Sequence, residues 1–171
     1  CHNIHDHLYT AQSPQLQEVK ALGLLDPLPV GDLSPAKVRM VSYFINWRHL
    51  QNCLVMCQFV HFDINQTTEL VKAITGWNTN LWELMKVGER SVQMTRAFNI
   101  REGLTADDDR MPQRFLTPLE SGPNKGIAVD QKKLEEARAT YYGIMGWDQA
   151  KGAPSKQRLE ELGIGWVAEA L

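Results

Sequence analysis

Two cysteines four residues apart, Cys53 and Cys57, are the side chains in this sequence best suited to bind a metal. Thiolates are ligands for zinc and for iron–sulfur clusters. A spacing of four predicts that both sulfurs lie on one face of a helix. Buried cysteine is also a common small hydrophobic residue, so a place in the core is the alternative. No cysteine follows Cys57, so a four-cysteine cluster would need ligands from elsewhere.

A second group of metal-ligating types stands at the start of the sequence, at Cys1, His2, His5 and His7. Thiolate and imidazole suit zinc, but histidines near a chain end are often simply solvated. A single neutral histidine in a substrate pocket offers different chemistry, because a pKa near ~6.5 lets it give and take protons. The chain begins at Cys1 rather than at a methionine, and we expect it to be a fragment or domain of a longer protein.

Charged residues are also concentrated between residues 99 and 115, among them Arg101, Glu102, Asp109 and Arg114. Paired carboxylates and arginines could form an acid–base or phosphate site. Ion pairs that hold a long loop in place are the favoured interpretation. The sequence contains no glycine-rich phosphate loop, nucleophile elbow or HExxH motif.

The elements that must position these residues are predicted to be helices. Ser34 is suited to be the N-cap of a helix, and Pro35 to be its first residue. Apolar residues then recur at helical spacing towards Cys57. A second helix is predicted to begin near residues 65–68 and to stop at Gly76. A third is predicted to be capped by Asn78 or Thr79, with Gly88 allowing a kink or close packing.

The pattern then fails from residue 99 to 126, which predicts one long ordered loop, with Phe115, Leu116 and Leu119 pinning it to a core. Two helices follow, the first between Asp130 and Gly146 and the second between Ser155 and Gly163. The prediction is therefore an all-α fold, an irregular helical domain with one long ordered loop. Residues 1–33 are expected to form a lead-in segment, with a short helix over 13–22, and residues 34–171 the helical domain.

Composition narrows the classes of function. The sequence has 171 residues, with 18 Lys and Arg against 20 Asp and Glu, and a net charge of −2. This balance provides no electrostatic footprint for nucleic acid. No apolar run approaches the ~20 residues that a membrane span needs. We therefore expect neither nucleic acid nor a membrane as a partner. Three cysteines form no disulfide framework, so we also expect a cytoplasmic protein.

The order of several motifs resembles one family, the tungsten-containing aldehyde ferredoxin oxidoreductases, in their C-terminal domain. The resemblance covers essentially the whole chain, most firmly residues 57–163. The motifs are Thr75-Gly76-Trp77, Gly88-Glu89-Arg90, residues 98–103, Asp108-Asp109, Pro112, Arg114-Phe115, residues 141–148, Gly152, Pro154 and residues 159–163.

The resemblance implies a fold, cofactors and partners. Members of this family have a pterin-binding domain followed by two mainly helical domains. They hold a tungsten, occasionally molybdenum, bis-pyranopterin and a [4Fe-4S] cluster. Typical members oxidise aldehydes to carboxylic acids and pass electrons to ferredoxin. This chain is similar to the C-terminal third only, so the partners that the resemblance implies are ferredoxin and the upstream domains of the same enzyme; a homo-oligomer is the further option.

The resemblance also implies roles for individual residues. The family has an Asp-x-x-Gly-Leu-Cys motif that contacts the pterin, and Asn52-Cys53-Leu54-Val55-Met56-Cys57 stands in its place. Cys57 matches the cysteine that ligates the cluster, whereas Asn52, Val55 and Met56 replace the Asp, Gly and Leu. Asp6-His7-Leu8 resembles a segment whose histidine faces the substrate pocket, so His7 is the candidate catalytic residue.

Three functions follow for comparison. The first is the C-terminal part of a tungstopterin aldehyde oxidoreductase. As an isolated chain, this part is expected to bind no cofactor and to have no activity. The second is a helical remnant or interaction module that has lost cofactor binding, which the altered pterin motif favours. The third is a small zinc protein that uses Cys1, His2, His5 and His7.

Overall fold

The structure is a computed structural model, which describes residues 20–24, 26, 28–29, 31–57, 60 and 62–171. In these residues no strand forms, and the all-α prediction is confirmed. The helices are α1 (Pro35–Cys53), α2 (Ile64–Thr75), α3 (Leu81–Arg101), α4 (Gln131–Met145) and α5 (Lys156–Glu161). Short 3-10 helices lie at Lys20–Leu22, Ala106–Asp108, Gln113–Phe115 and Gly165–Ala170.

Side-chain caps set where the helices begin. Ser34, Asp130 and Ser155 each accept a hydrogen bond from the amide three residues ahead, as their types predict. Two starts differ from the prediction by a few residues. Asp63 caps α2, because its carboxylate and the Gln66 side chain form a reciprocal capping box. Asn80, rather than Asn78 or Thr79, caps α3, since its side chain accepts from Glu83 N at 3.0 Å.

The core lies mainly between α1 and α3. Buried apolar residues of both helices pack with α2 and with Leu24, which precedes α1; they are Leu24, Met40, Phe44, Trp47, Leu50, Ile64, Val71 and Leu84. Gly88 of α3 lies where α1 approaches α3 closely. A side chain there would overlap the carbonyl oxygen of Asn46 on α1. The glycine serves close packing, which is one of its two predicted roles.

A second apolar cluster packs α5 and the chain's last 3-10 helix against α3 at Ala97; its other members are Leu159, Leu162, Ile164 and Val167. Polar bonds reinforce the same contact. Arg158 on α5 pairs with the buried carboxylate of Glu89 on α3, and Arg90 Nε donates to the carbonyl of Leu162 at 2.6 Å. This end of the molecule is therefore fixed by both packing and charge.

The long loop departs from its prediction in two ways. Helix α3 continues to Arg101, so the irregular segment begins at Glu102. The expectation that Phe115 and Leu119 pin the loop to a core is wrong, because their side chains are 45% and 50% exposed, and only Leu116 is partly covered. The loop is held by polar contacts described below.

The lead-in segment is described only in part. Most of the helix predicted over 13–22 lies outside the described residues, and Lys20–Leu22 is a 3-10 helix. Lys37 on α1 donates from Nζ to the carbonyls of Leu28 and Pro29 at 3.0 and 2.9 Å. The division at residue 33 stays a prediction. None of the helices in the described ranges has the length and apolar character to cross a membrane.

Candidate functional site

The candidate site is the last residues of α1 together with the turn that follows them, residues 52–57. Three backbone hydrogen bonds define it: Leu54 N to Leu50 O at 3.0 Å, Val55 N to Asn52 O at 3.0 Å, and Met56 N to Gln51 O at 2.9 Å. The last two are the paired bonds of a Schellman motif, which requires a left-handed residue just beyond the helix. Val55 is that residue, with φ of 55°.

Val55 occupies a conformation that favours glycine. Three other helix ends show the same pair of hydrogen bonds, and each has a glycine at the equivalent position, namely Gly103, Gly146 and Gly163. A β-branched residue at positive φ is an outlier. The turn therefore adopts a backbone conformation that suits glycine although valine stands at this position. The Val55 side chain is 92% exposed, so no packing in the described residues offsets the strain.

The two cysteines do not share a helix face as their spacing predicts. Cys53 is the last residue of α1, and Cys57 lies beyond the left-handed turn. The turn ends the helical repeat between them, and this overturns the prediction. Both are free and exposed, so the alternative of buried structural cysteines is also wrong. Cys57 presents an accessible thiol, while its carbonyl accepts a hydrogen bond from Val60 N at 3.0 Å.

The other proposed cofactor contacts lie in the same turn. Asn52 is exposed, and its side-chain amide makes no hydrogen bond to any residue that the structure describes. Met56 is partly buried. Within residues 20–171, gaps excepted, no three His, Cys, Asp or Glu side chains converge as a metal site. This end of α1 therefore offers two exposed thiols, Cys53 and Cys57, with the Asn52 amide beside them.

The remaining predicted site residues lie outside the described residues. His7, the candidate catalytic residue, is one of them, as are Cys1, His2 and His5 of the alternative zinc site. Their predicted roles stay predictions.

A buried polar cluster around Arg96 is the main feature that the sequence did not single out. Arg96 on α3 is 7% exposed and holds Asp109 of the loop with both terminal nitrogens, at 2.9 and 2.5 Å. Its Nε donates to the carbonyl of Gly152 at 2.7 Å, and its guanidinium lies 4.7 Å from the centre of the Trp147 ring. Arg96 thus joins the loop, the end of α4 and the turn before α5.

Tyr142 completes this cluster. Its hydroxyl donates to Asp109, and burial, followed by that hydrogen bond, raises the pKa of Tyr142 to about 12. Next to it, Gln93 accepts from Trp147 Nε1 at 2.7 Å and donates to the carbonyl of Met145 at 2.8 Å. Every group is paired within the protein, which indicates a structural role.

The sequence did contain a signal for this cluster. Glu89, Gln93 and Arg96 stand at helical spacing on one side of α3, and all three are buried. Polar residues that recur on a core-facing side of a helix indicate an internal polar network, since buried polar groups need partners. The loop-pinning role expected of Asp109 is present. Arg101 and Glu102, by contrast, pair only with each other across the surface.

Comparison with known proteins places this geometry in a family. Residues 2–164 match the family model described as aldehyde ferredoxin oxidoreductase, domains 2 & 3. The chain belongs to this family. The match includes the turn at 52–57 and the whole of the long loop. It ends before the 3-10 helix Gly165–Ala170.

Individual relatives of the chain support the same family assignment. The chain is 36% identical over 137 residues to a tungsten-containing aldehyde ferredoxin oxidoreductase of Pyrococcus furiosus, and 34% identical to that of Thermococcus kodakarensis. Each alignment covers 78% of this chain and 22% of the relative. The chain is thus homologous to the C-terminal part of these enzymes and spans about a fifth of their length. A further relative, 34% identical over 119 residues, is an aliphatic sulfonate oxidoreductase, WOR-like subunit, of Pyrococcus furiosus.

A solved structure supports the fold. The BamBC active-site complex of benzoyl coenzyme A reductase, in complex with 1,5-dienoyl-CoA, superposes with a TM-score of 0.62 at 24% identity. The superposition covers 77% of this chain and 20% of that chain. The helical arrangement described above is therefore shared with a larger enzyme.

Proposed function

We propose that this chain is the C-terminal part of a tungstopterin, iron–sulfur oxidoreductase that oxidises aldehydes to carboxylic acids and passes the electrons to ferredoxin. In this proposal the chain supplies one thiolate to a [4Fe-4S] cluster and contacts to a pterin. It works in the cytoplasm and is inactive by itself, because the other cluster ligands and most of the pterin site lie in the rest of the enzyme.

The observation that carries the proposal is the exposed thiol of Cys57 at the end of a turn with glycine-type geometry. The turn adopts that conformation although its left-handed residue is Val55, and this supports a backbone that serves to present Cys57. An unpaired, accessible thiolate next to the helix end is what a cluster needs as its fourth ligand.

The neighbours of Cys57 have separate tasks. Asn52 can offer its free amide to a polar edge of a pterin, although it lacks the charge of an aspartate. Leu54 packs on the core and Met56 is partly buried, and in this proposal these apolar neighbours shield one side of the cluster. Such shielding tunes the potential of a cluster. When bound, the tungstopterin supplies the two-electron chemistry and the protein positions it.

His7 is proposed to face the substrate in the complete enzyme. A neutral imidazole there can donate a hydrogen bond to the aldehyde oxygen or receive a proton as the acid forms. The proposal rests on the Asp6-His7-Leu8 motif of the sequence.

A second function is favoured by one observation. Val55 projects its isopropyl group from the turn where the family has a glycine, and Asn52 replaces an acidic residue. A chain with this turn could be a helical interaction module that no longer contacts a pterin. Cys57 would then bind no cluster.

The test uses the complete enzyme, meaning this chain together with the remaining family sequence of its own organism, in one polypeptide or two. It is purified without air, analysed for tungsten, molybdenum and iron, and assayed for aldehyde-dependent reduction of ferredoxin. Tungsten with about four iron atoms per chain and turnover support the proposal. A folded, complete protein without either metal supports the interaction module instead.

A further inference from the structure

The segment between residues 110 and 129, here named the outer loop, is a stretch of defined conformation that buries almost nothing. Of its residues only Leu116 and Val129 are partly covered, and all others are exposed. Ordering a residue costs about 1–2 kcal/mol in backbone entropy, which burial normally offsets. Among the residues that the structure describes, that offset is missing.

The hydrogen bonds of the outer loop stay inside it, apart from the one that Arg110 Nε donates to the carbonyl of Asp107. Leu119 N donates to Ile127 O at 3.3 Å, Gly126 N to Leu119 O at 2.8 Å, and Val129 N to Phe115 O at 2.9 Å. Among the described residues, no hydrogen bond or ion pair joins residues 111–129 to the helices α1 to α5. Polar anchors occur only just before it, where Asp109 binds Arg96 and Arg138 donates to Ala106 O at 3.1 Å.

The exposed side chains of the outer loop are apolar at several positions. Met111, Phe115, Leu119 and Ile127 are 37–59% exposed, and Arg114 lies over the Phe115 ring at 5.0 Å. Aromatic residues, methionine and arginine are enriched at the centres of protein interfaces. The sequence analysis expects Phe115 and Leu119 to pack on a core, and the residues that the structure describes leave both exposed.

We propose that the outer loop is a docking surface for the part of the aldehyde ferredoxin oxidoreductase that lies upstream of this chain, and this rests on the function proposed above. Two observations support that occupant. The outer loop lies wholly within the residues that match the family model, so it belongs to the family's domain. The chain is homologous to the C-terminal part of its relatives and spans 22% of their length, so most of a relative's protein surface is provided by sequence outside this chain.

Hydrogen exchange measured by mass spectrometry on this chain and on the complete enzyme tests the proposal. Amides of residues 111–128 should exchange at least about tenfold more slowly in the complete enzyme, because docking adds protection that the loop lacks. The double variant Phe115→Asp/Ile127→Asp should abolish the added protection and leave the melting temperature of the isolated chain unchanged. Ile74→Asp, which changes a 75% exposed isoleucine on α2, is the matched control and should keep it.

Equal exchange in both samples overturns the proposal. So does protection that appears in the isolated chain as its concentration rises, since a second copy would then be the occupant. Iron and tungsten are measured in the same complete enzyme. If the enzyme contains metal but the loop is not protected, only the docking-surface proposal is refuted. If the loop is protected but the enzyme contains no metal, only the proposed oxidoreductase function is refuted.

Discussion

Gly88 on α3 lies directly against the backbone carbonyl of Asn46 on α1. A Cβ at residue 88 would overlap that oxygen, lie 2.9 Å from the carbonyl carbon and 3.0 Å from Leu50 N. All three atoms belong to the backbone, so no side-chain rotation can make room. The contact sets how closely the two core helices approach, and α1 ends in the turn that presents Cys57.

Gly88→Ala should therefore destabilise the chain by about 3 kcal/mol, since overpacking forces the helices apart. Urea denaturation of the isolated chain measures the change. Gly143→Ala is the control, because that helical glycine has nothing within 4 Å of an added Cβ. Alanine there should stabilise by about 0.5–1 kcal/mol through its helix propensity. Equal effects at both positions would contradict the close approach.

Val55→Gly should stabilise the isolated chain by about 1 kcal/mol, because it relieves a left-handed valine. The reciprocal change Gly103→Val adds the same strain to the same hydrogen-bond pattern at the end of α3, where an added Cβ meets no atom within 4 Å. It should destabilise by a similar amount. A Val55→Gly chain less stable than the parent in thermal unfolding would show that Val55 is not strained.

Asp109→Ala should destabilise by about 2 kcal/mol, since it leaves the buried guanidinium of Arg96 without its carboxylate. Asp107 belongs to the same run of three aspartates, and its carboxylate bonds to no described residue. Asp107→Asn should therefore change the unfolding free energy by less than about 0.5 kcal/mol. If the two variants unfold at the same urea concentration, the loop does not depend on the Arg96 pair.

His49 should make stability depend on pH. Burial lowers the pKa of His49 from its usual 6.5, and its Nδ1 lies 3.0 Å from Ser91 Oγ on α3. The unfolded chain then binds the proton more readily, so this contribution is present above pH 6.5 and is lost as pH falls towards the folded-state pKa. The stability advantage of the parent over His49→Gln should shrink between pH 7.5 and pH 5.5.

Ser91→Ala separates burial from hydrogen bonding at this histidine. Because burial is the cause of the lowered pKa, the alanine variant should keep the pH dependence of the parent. A pH profile that flattens in Ser91→Ala would assign the effect to the hydrogen bond instead.

Local signals in the sequence predict the helices well and their mutual contacts poorly. Ser34, Asp130 and Ser155 cap as expected because an oxygen near a free amide is a short-range interaction. The sequence does not predict that α3 extends to Arg101, because the charged residues at the end of this helix resemble those of a loop. The left-handed Val55 was also missed, because its residue type argues against that conformation.

At the candidate site, too, one part of the prediction agrees with the structure and another part does not. Family resemblance places Asn52, Val55, Met56 and Cys57 in one motif, and the structure places them in one turn. Spacing alone put Cys53 and Cys57 on one helix face, and only the turn geometry separates them. Exposure of Phe115 and Leu119 could not be predicted, because an apolar residue in a sequence does not say whether its own chain or another covers it.

Substitution of Cys57 in the complete enzyme tests the central claim most directly. Enzyme purified without air is reduced and examined by electron paramagnetic resonance, with iron measured on the same sample. Cys57→Ala should lose the [4Fe-4S] signal and most of the iron, whereas Cys53→Ala, the exposed cysteine four residues earlier, should keep both. A Cys57→Ala enzyme that retains the full signal and iron content would contradict the assignment of Cys57 as the cluster ligand.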